Sequence, residues 1–398
     1  MNGKLRMENG KWGEPKHRLV RHLCLSLCLA LLLALNACLP ALPPEQYIYV
    51  LHIGIARGEE QPYEVFLLVN QAGPGTGEEN ASSLQTLSAA VHNLPEAAVV
   101  LSAGMPFQLN FSRASLLVLS QELAQSGEIP EIMDIALPKL GLSPYMNLSI
   151  TQSDMDALFK GMLCESDPAL SKLTLNRKVS YQLEGMTVNN SLAQLTESRQ
   201  SRAFDMLYTL MNVKGEGVQR DMVGEESHVY LAGSLPMQSA IDTEAMGTAA
   251  FSGDKMVGLL SGGHTMMLLM GTGAFQSGRL ILPLAGETVP ITLHSAGKPK
   301  VQLSGESAIV SVSLKADVEK PSLRDRLGAA ELERLIGEAI AEEMAQVFAA
   351  VQAADADVFG FGKTAIKQNA GGRDAETWRK TYPKLRASFS VRVSFVSD

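Results

Sequence analysis

The stretch LERLIGEAIAEEMAQVFAAV, residues 332–351, places Leu332, Leu335, Ile336, Ile340, Met344, Val347, Phe348 and Val351 at intervals of three and four. At 3.6 residues per turn these side chains share one stripe. The spacing therefore predicts a long amphipathic helix, with Glu338, Glu342 and Glu343 facing elsewhere. Near the end of the chain, FSVRVSF at residues 389–395 alternates strictly. That is the period of a half-buried strand, with Phe389, Val391, Val393 and Phe395 on one face and Ser390, Arg392 and Ser394 on the other. Phe389 and Phe395 are expected to be buried against Ile336, Ile340 and Val347. A striped helix laid on an alternating strand makes this an α+β unit.

Upstream of the helix, Val301 and Leu303, then Ile309, Val310 and Val312, suggest two strands. The block from Gly247 to Leu282 is apolar, and its glycines at 258, 262, 263, 271, 273 and 278 read as tight turns between short strands. Val213 to Ser227 reads as a polar loop, Lys178 to Leu183 as a strand, and Asn190 as the start of a helix through Leu192 and Leu195. Tyr47–Ala56 and Tyr63–Asn70 form a β-hairpin pattern around the turn-prone residues 57–62, with Tyr63, Val65, Leu67 and Val69 on one face. Gln71 to Glu79 reads as a Gly-rich loop, after which Asn80 is expected to cap a helix carrying Leu84, Leu87, Val91 and Leu94. Ser115–Leu119 reads as a buried strand, Ser120 as the cap of a helix ending at Gly127, and two further helices follow Pro130 and Ser153–Asp154. Strands and helices alternate irregularly, and the expected class is α+β: three mixed domains at residues 38–171, 172–284 and 285–398.

Residues 1–37 stand apart. Lys16, Arg18 and Arg21 precede an apolar run from Leu23 to Leu35. As a helix that run spans roughly 20 Å, short of the roughly 30 Å hydrocarbon core, so it reads as a signal peptide and not as a transmembrane segment. It ends in Leu35-Asn36-Ala37-Cys38, which resembles a bacterial lipobox with Cys38 as the lipidated residue. Of the four cysteines, Cys24 and Cys28 lie in the apolar run, and only Cys164 remains beyond Cys38. An internal disulfide framework is thereby excluded.

The chain carries a net charge of −8, with 46% hydrophobic and 19% charged residues. The six basic and two acidic residues before Cys38 conceal a body of 28 basic and 40 acidic, a net −12. A surface of that sign repels phosphate backbones, which argues against nucleic acid as a partner. No run of basic residues offers a patch for anionic lipid, so membrane attachment is expected to come from the lipid alone.

Several patterns invite chemistry and fail on spacing. Gly360-Phe361-Gly362-Lys363-Thr364 resembles the end of a phosphate-binding loop, but Asp357 stands where the motif needs glycine, and an acid there repels phosphate. The segment is expected to form no metal or nucleotide pocket. Ser261-Gly262-Gly263 with His264 lacks the glycine of a nucleophile elbow, position 259 being Leu259, and is read as a β-turn. His52, His92, His228, His264 and His294 show neither HxH nor HExxH spacing. Asp355 and Asp357, with Glu342 and Glu343, could be paired acids for glycoside cleavage, yet only Trp12 and Trp378 are available to line a sugar cleft. No catalytic residue, cofactor or metal is assigned.

Three stretches carry a resemblance. The first is Gly247-Thr248-Ala249-Ala250-Phe251 followed by Asp254-Lys255-Met256-Val257-Gly258-Leu259-Leu260. The second is Ala356-Asp357-Val358-Phe359-Gly360-Phe361-Gly362, followed by Trp378. The third is Ser120-Gln121-Glu122-Leu123-Ala124 with Gly127 and Ile129. Together they resemble the Ger(x)C family of spore-germination lipoproteins, the C subunits of nutrient-germinant receptors in endospore-forming bacteria. Departures are Leu39-Pro40 after Cys38 in place of tryptophan-aspartate, Arg113 for a histidine, Leu259 for a tryptophan and Tyr382 near the place of a second. The resemblance implies three α+β domains held by lipid on the outer face of the cytoplasmic membrane, the inner membrane of the spore. It implies two integral-membrane partner subunits, one of them transporter-like, and no catalytic motif. Gly247, Phe251, Lys255, Gly258, Asp357, Gly360, Gly362 and Trp378 are carried over as structural positions, the glycines at 258 and 360–362 for their conformational freedom.

Two other classes compete with a receptor subunit. A cell-wall-modifying enzyme would show a cleft with facing acids roughly 5–10 Å apart. A generic solute-binding lipoprotein would show two similar hinged lobes, for which the sequence has no internal repeat.

Overall fold

A computed structural model of the protein describes residues 22–23, 25–27, 47–71, 83–164, 184–216, 222–223, 230–236, 242–368 and 374–396. Cys38, the loop expected at 71–79 beyond Gln71, the strand expected at 178–183 and much of the loop at 213–227 lie outside them.

Two sheets organise the described chain. The strands of the first are β1 (Tyr47–Arg57), β2 (Tyr63–Gln71), β3 (Ser83–Val91), β4 (Gln108–Asn110), β5 (Leu116–Ser120), β6 (Asn147–Thr151), β7 (Leu207–Val213), β8 (Thr243–Ser252) and β9 (Lys255–Leu260), in the order β3-β2-β1-β5-β6-β7-β8-β9 with β4 beside β1. Its centre, β1-β5-β6-β7, is parallel, and antiparallel hairpins flank it on both sides. Parallel strands are covered on both faces, which is why Leu116–Leu119 is a continuous buried run with no alternation.

Helices α1 (Leu94–Ala103), α2 (Gln121–Ser126), α3 (Ile129–Leu140) and α5 (Leu192–Ser201) contribute to the apolar core on one face. Helix α4 (Met155–Cys164) covers the other, where Phe159 meets Phe66. This two-sided cover corrects the reading of β2 as one-faced, because Phe66 and Leu68 are as buried as Val65, Leu67 and Val69.

The second sheet contains β10 (Ser277–Leu284), β11 (Glu287–Ser295), β12 (Lys300–Ser304), β13 (Ser307–Val318) and β14 (Arg386–Phe395). Strand β13 is its spine: β11 and β12 pair with it antiparallel, and β14 pairs with it in parallel from Ser307↔Arg386 to Ala316↔Phe395. The segment 172–284 thus supplies β7–β9 to the first sheet and β10 to the second. The position 284/285 falls in the β10–β11 hairpin.

Helix α6 (Gly262–Thr272) lies where the expected turns of the 247–282 block would have been. It packs on β8 and β9 of the first sheet, and on β13 of the second. Ser261 begins it by accepting a hydrogen bond from the His264 amide at 3.2 Å, so the Ser-Gly-Gly-His stretch is a helix cap and not a β-turn. A helix buried nearly all round shows no amphipathic period, which hid it from the sequence. A second correction concerns the helix expected after Asn80, which is strand β3 as far as Val91, with α1 capped by Asn93. Nine residues of backbone pairing with β2 outweigh a short run of helix-spaced leucines.

The remaining helices are α7 (Pro321–Leu327), α8 (Ala329–Ala353), α9 (Phe361–Lys367) and α10 (Ala375–Thr381). Helix α8 buries the expected stripe: Leu332, Ile336, Ile340, Met344, Val347 and Val351 have no exposed surface. It runs so close to β14 that a Cβ on Gly337 would lie 2.6 Å from the Val391 carbonyl oxygen. Phe348 is ringed by Phe359, Phe361, Tyr382 and Phe389 at centroid distances of 5.8 to 6.4 Å. Phe389 and Phe395 are only half-buried, a correction to their expected full burial, while Val393 between them is enclosed.

Phe348→Ala is expected to cost about 3–5 kcal/mol in denaturant unfolding, because it empties the centre of this aromatic group. Phe389→Ala, made at the half-buried edge, is expected to cost less.

Candidate functional site

The motif residues fall into two groups that meet at one buried carboxylate. In the first group, α8 ends and the chain turns through Asp357 into α9. Asp357 has no exposed surface, and its Oδ1 accepts from the Phe361 amide at 3.0 Å. Its Oδ2 accepts from the Gly362 amide at 2.7 Å and from Trp378 Nε1 at 2.9 Å. The main-chain amides that would cradle a phosphate in a loop of this shape are therefore taken by the chain's own acid.

Gly360 adopts a left-handed φ of +69° to make the turn. Gly362 is required for space and not for conformation: a Cβ there would stand 1.8 Å from the Ala203 carbonyl oxygen and 2.4 Å from Trp378 Nε1. Gly258 likewise has no positive φ, and a Cβ there would first meet the flexible Met222 side chain, 2.3 Å from its Cγ. These two findings correct the expectation that conformational freedom explains both glycines.

The second group surrounds the β8–β9 hairpin. Gly247 has φ +81°, and a Cβ on it would meet the Leu260 carbonyl oxygen at 2.6 Å. Phe251 packs edge-on against Tyr208, with centroids 4.9 Å apart. The Lys255 stem lies over Gly127, the left-handed C-cap of α2, which brings the weak third stretch of the resemblance against the first.

Asp205, just before β7, joins the two groups, and nothing in its sequence context marked it. It is 4% exposed. Its Oδ1 accepts from the Gly253 amide at 2.8 Å and its Oδ2 from the Asp357 amide at 2.7 Å. Arg379 on α10 holds both oxygens in a bidentate pair at 2.6 and 2.7 Å, and donates through Nε to the Arg202 carbonyl at 2.9 Å. One carboxylate thus fastens the β8–β9 turn, the α8–α9 turn and α10. Arg379 stood next to Trp378 in the motif but gave no signal of its own. Tyr382, at the place of an expected tryptophan, is fully buried and donates its hydroxyl to the Ala356 carbonyl at 2.7 Å. Leu259, at another such place, is enclosed, and Arg113 stands 4.0 Å over the Tyr49 ring.

Burial pushes the Asp357 carboxyl up to about 6, against the pull of its three N–H donors. Burial would lower the Arg379 guanidinium, but its hydrogen bonds to Asp205 hold it above the ordinary value. A carboxylate offers about four accepting positions. Asp205 has all of them filled and Asp357 three, so the cluster binds the chain to itself. Asp355, the other candidate acid, lies in a left-handed turn with φ 54°, and its carbonyl accepts from the Ser252 hydroxyl at 2.8 Å. Among the described residues no group of three His, Cys, Asp or Glu side chains could hold a metal ion.

A cleft of about 1110 Å³ opens beside this turn, with Lys298, Lys363, Thr364 and Lys367 among its lining. Lys363 itself is engaged, 2.8 Å from Glu197 and 3.9 Å from the centre of the Phe204 ring.

With this geometry in hand, two family models match the chain. Residues 42–212 match the "Spore germination protein N-terminal domain", and residues 246–396 match "Spore germination B3/ GerAC like, C-terminal". The chain is a spore-germination protein. It belongs to the Ger(x)C family of germinant-receptor subunits. The fold is similar to that in the "Crystal Structure of the GerBC protein", with a TM-score of 0.52 at 13% identity over 87% of this chain and 97% of that one. Among curated proteins, none matches the chain.

Two outcomes test the junction. Asp205→Ala leaves Arg379 partly buried without its partner. The expected loss is about 3 kcal/mol of stability, the low end for a broken pair because Arg379 keeps some water contact. The folded-state value of Asp357 lies above that of an unfolded Asp, so the folded chain holds its proton more tightly between about pH 4 and 6. This contribution, up to about 3 kcal/mol, is present at the acid end and is lost as pH rises through about 6. The stability gap between wild type and the non-titrating Asp357→Asn should therefore narrow from about pH 4.5 to 7 in chemical denaturation. A gap that widens would mean that the three donors, and not burial, set the charge.

Proposed function

We propose that this chain is the lipid-anchored, non-enzymatic subunit of a nutrient-germinant receptor. In this reading Cys38 carries the acyl chains and the body stands on the outer face of the cytoplasmic membrane, which becomes the inner membrane of the spore. There it acts through contacts with two integral-membrane subunits. The observation that carries the non-enzymatic reading is the engagement of Asp205 by four and of Asp357 by three of the chain's own donors. The acids at the centre of the motif residues join parts of the fold and leave little accepting capacity for a substrate. Among the described residues no helix is long and apolar enough to cross a membrane, and in this reading the attachment comes from another device.

Lipid supplies that device. Each buried methylene contributes about 0.8 kcal/mol, and two chains give stable anchoring where one is marginal. Leu39 to Gln46 contains three prolines and serves as the tether.

The test is radiolabelled palmitate together with membrane fractionation. Wild type should be labelled and Cys38→Ser unlabelled. A chain starting at Leu39, secreted without receptor partners, should keep its melting temperature and leave the membrane fraction. If it still sediments with membranes after a high-salt wash, lipid is not the anchor. Failure of the tagged wild-type chain to co-purify with two co-expressed membrane subunits would sink the receptor reading.

A further inference from the structure

The side of the second sheet turned away from α8 has an unusual make-up. On β12, β13 and β14 half of the outward positions are serine, and among the others stand Lys300, Lys315, Arg386, Arg392, the acid Asp317 and the apolar Ile309. The pairing lays them in rows: Lys300 beside Ser311 and Ser390, Ser307 beside Arg386, Ser313 beside Arg392, and Lys315 beside Ser394. With about 4.8 Å between strands and about 3.3 Å per residue, the field is roughly 10 Å across and 27 Å long. It holds four cations against one acid, Asp317, in a body of net −12. None of the four cations is in an ion pair with a described residue. The nearby Arg279 is paired with Glu319 at 2.9 Å and is not counted.

We propose that this serine-rich, cationic sheet face lies against the headgroups of an anionic phospholipid bilayer. Its small side chains leave the surface flat, and hydroxyls and cations both donate to phosphate oxygens. Its lack of aromatics and its wealth of Ser and Lys set it apart from a protein-binding core, where aromatics are enriched and Ser and Lys depleted; its two arginines are the exception. One large apolar side chain, Ile309, stands 48% exposed among these residues, placed to enter the interfacial layer. Docked this way, the acidic remainder of the body faces away from the like-charged membrane. Each basic side chain near an anionic surface typically contributes about fivefold in partition. The cations come from three strands, which is why no basic run appears in the sequence. The inference rests on the proposed membrane location.

The experiment uses the full lipidated chain in vesicles, with Cys164→Ser and a bimane probe at either Ile309→Cys or Gln346→Cys, the latter an exposed position on α8 beneath the opposite side of the sheet. The quencher is a nitroxide on the lipid headgroup. Probe 309 should be quenched in vesicles containing phosphatidylglycerol, and much less in pure phosphatidylcholine. Quenching should fall at about 0.5 M salt, where exposed charges are screened within a few ångströms. It should also fall in Lys315→Glu/Arg392→Glu, whose melting temperature is checked alongside. Probe 346 should stay bright throughout. Equal quenching at both positions, or none at 309 in anionic vesicles, overturns the proposal. So does a response at 309 that appears only when the membrane subunits are added, since that would mark a protein contact. Loss of the lipid anchor is a separate failure, seen as release of the whole chain from the vesicles.

Discussion

The bidentate pair between Asp205 and Arg379 is the constraint on which the arrangement of this protein turns. A carboxylate that is 4% exposed needs a cation and several donors to remain in the fold. Here they come from segments far apart in the chain: Gly253 from a hairpin of the first sheet, the Asp357 amide from the end of α8, and Arg379 from α10. Breaking any one leaves a charge or an amide unsatisfied in an apolar setting. The end of α8 and the β8–β9 hairpin are therefore held in one geometry, and Gly362 must be glycine because the chain crosses Ala203 with no room for a Cβ.

Helix α6 adds the apolar counterpart of this polar fastening. It packs on β8 and β9 on one side and on α8 and β13 on the other, so its methionines and leucines belong to the core shared by both sheets. A directional polar cluster beside a non-directional apolar layer gives the junction both orientation and burial energy. That combination is what the proposed role requires, in which fixed surfaces face a membrane and partner proteins.

Much of the fold was legible from local pattern. The α8 stripe, the β1–β2 hairpin, the Ser120 cap with Gly127 beyond it, and the alternation of β14 each follow from a period or a cap that acts within a few residues. The errors have a common cause. Strand β3 took its state from pairing with β2, and α6 lost its period because every side is buried. In both, neighbours distant in sequence decided what local propensity left open.

The sequence by itself determined the α+β class, the elements with a strong period, and the membership in a germination family carried by short glycine and aromatic motifs. It also placed Asp357, Gly360, Gly362 and Trp378 together as a motif, because they lie within one turn and the next helices. Only the tertiary structure decided that Asp357 fills its own loop, that Asp205 and Arg379 close the cluster, and that Lys300, Lys315, Arg386 and Arg392 gather on one face. The physical reason is that hydrogen bonds and charge fields act through space over a few ångströms, whereas sequence patterns register only neighbours along the chain.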